Sequence, residues 1–241
     1  MTSSHPIREA HGLCIGHSHL RCLQTAAADL AVPLDAVNFW DANDGVRDGP
    51  DGPVLAGDLR QRVREHAGPV FSFIGGGAHS VLGLVAHPRR FDFVLPASPG
   101  LPLAANAEVL PVDLVRAILR RDMAPFLHLM SDLRSVARHR VVHLEPPAPC
   151  GEAKRMLPHI PWPLFPGMLR ELAPRHLHYK LWRLHSEILL AHCAANDIDF
   201  LPHPGQTTGP DGFLRPEFFH DGVHANSAYG ALLLDQMREV A

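Results

Sequence analysis

Ser18, Asp221 and His224 are the residues of this chain whose types suit covalent catalysis together. A serine hydroxyl attacks poorly until a neighbouring imidazole takes its proton, and the imidazole works best when a carboxylate fixes its tautomer and steadies its charged form. The segment Asp221-Gly222-Val223-His224 supplies both partners close together. Ser18 lies far from them in sequence, within Gly12-Leu13-Cys14-Ile15-Gly16-His17-Ser18-His19-Leu20. The chemistry such a set would do is acyl transfer through a covalent acyl-serine. A D-x-x-H spacing arises often by chance, and this one stands out by its place between the last strand and the last helix. The same residues also suit helix capping, Ser18 at the first helix and Asp221 at the last.

Eighteen histidines raise the question of a metal. His17, His19, His79 and His224 are candidates to gather at one site, and His176, His178 and His185 lie on one long helical stretch. No H-E-x-x-H or comparable ligand spacing occurs, so no metal or other cofactor is expected; a metal-assisted hydrolase built on the histidines is the weaker alternative. His178 and His185 share a helix face and read as partly buried or solvated. His17 and His19 flank Ser18 and should point to different sides of the turn. With His79 they are the candidate substrate contacts. Trp40, Trp162, Trp182 and Phe165 read as core or cap residues.

The elements that must position these groups follow from apolar patterning. Leu13 to Ile15 reads as a strand, Leu20 to Leu30 as an amphipathic helix and Ala36 to Trp40 as a second buried strand. Asp41 to Pro53, rich in glycine, proline and aspartate, reads as a loop. A helix over Leu59 to His66 leads to a third strand, Pro69 to Ile74, which ends in Gly75-Gly76-Gly77-Ala78-His79. Phe91 to Leu95 is a candidate extra strand and Pro96 to Pro111 a loop. Leu114 to Arg138 has helical spacing with a break expected at Pro125. Arg140 to Leu144 reads as a strand, Pro158 to Pro166 as a connection, Pro174 to Asn196 as a long helix, Ile198 to Leu201 as the last strand and Ala225 to Val240 as the last helix. Strands alternating with helices predict a parallel sheet covered on both faces, where carboxyl strand ends and helix N-termini form the usual crevice.

At 241 residues, with 46% hydrophobic and 20% charged residues and a net charge of −3, the chain has ordinary globular composition. The arginines are dispersed and form no basic stripe, which argues against nucleic acid as a partner. Cys14, Cys22, Cys150 and Cys193 form no C-x-x-C pair and read as reduced thiols. The polar start, Met1 to Ala10, lacks an apolar signal core, and no run approaches the ~18 to 20 apolar residues of a membrane span. A cytoplasmic protein is the expectation.

Gly75-x-Gly77 after a strand suggests a dinucleotide turn, but Ser80 stands where a third glycine belongs and the motif follows the third strand, so nucleotide binding is set aside. The motifs resemble instead those of the SGNH/GDSL hydrolases. Gly16-His17-Ser18-His19-Leu20 is similar to that family's first block, Gly-Asp-Ser-Leu, with His17 in place of the aspartate and His19 inserted before the leucine. Asp221-Gly222-Val223-His224-Ala225-Asn226-Ser227-Ala228-Tyr229-Gly230 is similar to its last block. Arg140 to Pro147 resembles the fourth strand and its exit, and Leu177 into Phe200 the helix and strand before the last block. Gly57-Asp58 resembles the second block, whose glycine offers an N–H to the oxyanion. The third block, Gly-x-Asn-Asp, departs here: Gly77 stands at the asparagine.

The resemblance implies a three-layer α/β/α, flavodoxin-like fold with a parallel sheet, one domain over residues 1–241 and a helical insertion or cap at about 96–138. It implies a serine esterase with Ser18 as nucleophile, His224 as base and Asp221 orienting it, and with the N–H groups of Ser18, Gly57 and Gly77 around the oxyanion. His79 is either a substitute donor or, the favoured reading, a plain polar residue at a helix start. The substrate would be a small-molecule, carbohydrate or lipid acyl ester, with no cofactor, nucleic acid or membrane involved. Loss of one oxyanion donor costs about 10²- to 10³-fold in rate. A catalytically degenerate binding protein and an acyltransferase on the same fold are the alternatives.

Overall fold

The computed structural model describes residues 12–41, 45–75 and 77–241. The expected polar start of the chain, Asn43, Asp44 and Gly76 lie outside the described residues. Five strands form the central sheet: β1 (Leu13–Gly16), β2 (Asp35–Asn38), β5 (Val70–Phe73), β8 (Val141–Leu144) and β9 (Asp199–Leu201). Their spatial order is β2-β1-β5-β8-β9 and every pairing is parallel. Counting sheet strands alone, this is the 2-1-3-4-5 order of the flavodoxin-like doubly wound fold.

Period-two alternation sends the strand residues to two separate cores. Leu13, Ile15, Val70 and Val141 pack with Leu59 and Val63 of α2 (Gly57–Glu65), Leu119, Met123 and Leu133 of α4 (Val112–Val136) and Leu181 and Ile188 of α6 (Arg175–Ala195). Cys14, Phe71, Phe73, Val142 and Leu144 pack on the other face with Leu23 and Ala26 of α1 (Leu20–Asp29) and Tyr229 and Leu233 of α7 (Ser227–Val240). The layers are therefore helix, sheet, helix. The two helices of the second face nearly touch at Gly230, where a Cβ would stand 2.2 Å from the Cys22 carbonyl oxygen. Only glycine allows that approach.

Three local expectations need correction. The Asp41 to Pro53 segment is not all loop: β3 (Val46–Gly49) and β4 (Gly52–Leu55) pair antiparallel across Pro50-Asp51. The glycines and prolines that argue against regular structure are what a tight hairpin turn uses, with Gly52 at φ +143°. The Phe91 to Leu95 strand shrinks to β6 (Phe91–Asp92), which pairs with β7 (Glu108–Val109) away from the main sheet. Helix α4 runs unbroken through Pro125. Met123, Leu127 and Met130, buried on either side of it, hold the helix together against the lost hydrogen bond. Helix α4, within the 96–138 segment, supplies much of one core. The short helix α3 (Ala78–Gly83) follows β5, and α5 (Ala153–Met156) follows β8.

Candidate active site

The strand order reverses between β1 and β5, and in a doubly wound sheet the crevice at the carboxyl ends of such a pair is where ligands bind. Ser18 lands there. β1 stops at Gly16, where a Cβ would meet the Phe73 carbonyl oxygen at 2.8 Å, so the strand can leave close against its neighbour only as glycine. The chain then turns through Leu20 N–H to His17 O (2.8 Å) and Arg21 N–H to Ser18 O (3.3 Å) and enters α1. Ser18 is exposed just before that helix, where the positive end of its dipole favours developing negative charge.

The opposite wall comes from the segment before α7. The His224 imidazole donates from Nδ1 to Asp221 Oδ2 at 2.8 Å, which leaves Nε2 with its lone pair. Asp221 Oδ1 also accepts the backbone N–H groups of Val223 and His224, each at 2.8 Å. Burial alone would raise the Asp221 carboxyl; the His224 hydrogen bond and these N–H donors outweigh it and hold the group well below the usual carboxylate range. Capping of α7 falls to Asn226, whose side chain accepts from Ala228 and Tyr229 N–H and donates to the carbonyls of Glu217 and Phe219. Neither Ser18 nor Asp221 spends its side chain on a helix end, which removes the plain capping explanation for both. The N-cap position of α1 is His19, and it makes no side-chain capping bond.

Ser18, Asp221 and His224 line one cleft of about 450 Å³ together with His17, His220, Asn38, Asp41, Arg21 and Gln24. Within it the Ser18 hydroxyl is hydrogen-bonded to His17 Nδ1 at 3.2 Å. Burial, with a smaller push from His224, lowers His17 to about 4, so its ring is neutral near pH 7. His19 lies with its ring 5.3 Å from that of His224 and 5.5 Å from Phe73. Asn38, Asp41 and His220 were not legible as site residues, because nothing in the spacing of β2 or of the last loop sets them apart from surface polar groups.

Other expected site residues sit elsewhere. Gly57 opens α2 at φ +47° directly after the hairpin and is not among the residues lining the cleft, nor is Gly77. Gly77 caps α3 at φ −113°, with open space where a side chain would begin. His79 is buried, its ring 4.7 Å from His185 and 5.8 Å from His178. His178 and His185 are fully enclosed rather than solvated, and burial holds both down at about 4. His185 donates from Nε2 to the Gly75 carbonyl at 3.0 Å, tying the glycine-rich turn to α6. Among the described residues no three or more His, Cys, Asp or Glu side chains are placed to share a metal ion. No helix among them is long and apolar enough to cross a membrane. All four cysteines are buried and unpaired.

No family model matches the sequence, and no curated protein does. Solved structures of similar form include a GDSL-like lipase from Bacteroides thetaiotaomicron, 12% identical with a TM-score of 0.42, covering 100% of this chain and 93% of the other. A carbohydrate acetylesterase from Sinorhizobium meliloti is 15% identical, with a TM-score of 0.43 over 97% of each chain. An aryl esterase from M. smegmatis is 18% identical, with a TM-score of 0.42 over 95% of this chain and 98% of its own. Likenesses this remote assign no chemistry, and the functional reading rests on the residues of the cleft.

Proposed function

We propose that this chain is a serine hydrolase that cleaves a small acyl ester through a covalent acyl-Ser18 intermediate. One observation carries the reading: a carboxylate-held imidazole, His224 on Asp221 at 2.8 Å, shares a cleft with an exposed serine at the switch point of the sheet. In the reaction Ser18 Oγ attacks the ester carbon as His224 Nε2 takes its proton. The carbonyl oxygen becomes an oxyanion facing the Ser18 N–H just before α1, and Gly77 and Gly57, neither of which lines the cleft, add donors only if their segments move toward it. Collapse expels the alcohol, which leaves with the proton from His224. Water then repeats the sequence on the acyl-serine; a second alcohol in its place gives a transferase. Asp221 keeps Nδ1 protonated and steadies the imidazolium. His17 holds the hydroxyl in the resting state, and rotation about the Ser18 Cα–Cβ bond redirects it to His224.

The rest position of Ser18 on His17, together with Gly77 in place of a side-chain donor, favours a second reading: a binding protein on the same fold that has lost turnover. Labelling with a fluorophosphonate at neutral pH separates the two. The hydrolase reading expects modification at Ser18, located by peptide mass spectrometry and lost in both Ser18→Ala and His224→Ala. Folded protein that takes up no label makes it the binding protein.

A further inference from the structure

A second cavity, of about 490 Å³, is linked to the cleft through His17 and the 38–41 stretch. His17 lines the cleft, while its ring meets Phe39 edge-on at 5.7 Å and Phe126 at 5.9 Å, both of which line the second cavity. One four-residue stretch walls both spaces: Asn38 and Asp41 face the cleft, Phe39 and Trp40 the cavity. The lining is dominated by rings, Phe39, Trp40, Phe126, Pro53 and Pro125. Trp40 leaves 67% of its surface open beside it, with its ring 5.0 Å from that of Phe39. An exposed indole at the mouth of a concave apolar space is a surface that gains by being covered.

We infer that this cavity receives the acyl part of the ester and that the acyl part is aromatic. The inference rests on Ser18 being the nucleophile, and it adds what the nucleophile is given. His224 must return a proton to the leaving oxygen, so the alcohol lies beside His224. The second cavity is reached past His17, on the flank of Ser18 bounded by Phe39 and Phe126, which leaves the acyl carbon's substituent to fill it. Flat faces and edges of aromatic rings, and proline rings, pair best with another flat ring, in offset or edge-on contact; a flexible alkyl chain would forgo that geometry and lose rotamer freedom as well. Exposed Arg47 and Asp48 of the hairpin add polar groups to the lining, suited to substituents on the ring.

Calorimetric titration of the Ser18→Ala chain tests this, since that variant binds ester without consuming it. The probes are methyl 2-naphthoate, with the ring on the acyl side, 2-naphthyl acetate, with the ring on the alcohol side, and methyl octanoate. Methyl 2-naphthoate is expected to bind about fivefold or more tightly than methyl octanoate, and Trp40→Ala in the same background to remove most of that margin. Val46→Trp, which fills the cavity from the hairpin, is expected to do the same, with thermal melts confirming that both variants fold. Equal affinities, absent binding included, or a preference that survives both variants overturns the inference. A Trp40-dependent preference shown by 2-naphthyl acetate alone overturns the acyl assignment. Hydrolysis by the unaltered chain is read separately: naphthoate binding without Ser18-dependent turnover keeps the cavity and ends the esterase reading, whereas turnover without naphthoate preference does the reverse.

Discussion

At the scale of single residues, the proposed oxyanion site is tested at Gly77. An oxyanion needs donors already in place, and removal of one side-chain donor costs about 10²- to 10³-fold in rate elsewhere. Gly77 has negative φ, and a Cβ there meets nothing within 4 Å, so Gly77→Asn introduces an amide without strain or clash. The expected outcome is a gain in kcat of about 10-fold or more, with a melting temperature unchanged within a degree or two. Esterase assays with a 4-nitrophenyl ester, read as kcat and KM separately, check it. A gain confined to KM would mean that the amide binds ground-state substrate and that another group already serves the oxyanion.

At the scale of elements, the long-range arrangement was legible and the short pieces were not. α1, α6 and α7 follow from apolar periodicity at helical spacing, and β1 and β5 from short apolar runs buried on both faces. The hairpin β3–β4 was not legible, because Val46 to Leu55 has only a few apolar residues and its Gly49-Pro50-Asp51-Gly52 turn looks the same as disordered punctuation. Pro125 misleads for the opposite reason, since tertiary packing of α4 outweighs a local penalty of about 3 kcal/mol. Ser18 was legible as a candidate because it stands between β1 and α1, and Asp221 with His224 because their spacing precedes α7; Asn38 at the end of β2, and Asp41 and His220 in loops, carry no such signal. The deepest tie between elements was also invisible. Lys180, in the middle of α6, is fully buried, and its ammonium contacts Asp92 Oδ1 at 2.9 Å and the Pro102 carbonyl at 3.0 Å. Asp92 in turn accepts the N–H groups of Phe93 and Ala104, each at 2.7 Å. This pair anchors the irregular 92–104 stretch to the helix. Lys180→Met leaves the carboxylate enclosed without its cation and is expected to cost about 3 to 5 kcal/mol, read from the urea midpoint. Adding Asp92→Asn should recover part of that loss, since an amide can still accept one N–H. A single-variant loss under about 1 kcal/mol would mean that water reaches the carboxylate.

At the scale of the whole molecule, the buried histidines set how the fold responds to acid. Burial first, and like-charged neighbours second, push His143 down to about 3, His17 and His185 to about 4, and His79 well below its ordinary value; burial by itself takes His178 to about 4. A histidine depressed in the folded chain titrates first in the unfolded one. Above about pH 6.5 neither state holds the proton, and stability is at its full value. Between that pH and the folded value only the unfolded chain binds it, so stability falls by up to about 1.4 kcal/mol per pH unit for each such ring. Below the folded value the loss levels off. The depressed carboxyls of Asp221 and Glu145 act lower: their contribution is complete above about pH 4 to 5 and is lost only as the pH drops through their own folded values. Urea midpoints are therefore expected to be level from pH 8 to 7 and to collapse between pH 6.5 and 4.5, well before the carboxylates titrate. Far-UV circular dichroism taken beside the esterase assay separates this from the chemistry. If activity falls while the circular dichroism and the urea midpoint hold from pH 7 to 5, the loss belongs to the catalytic groups, and the enclosed rings must take up protons without opening the core.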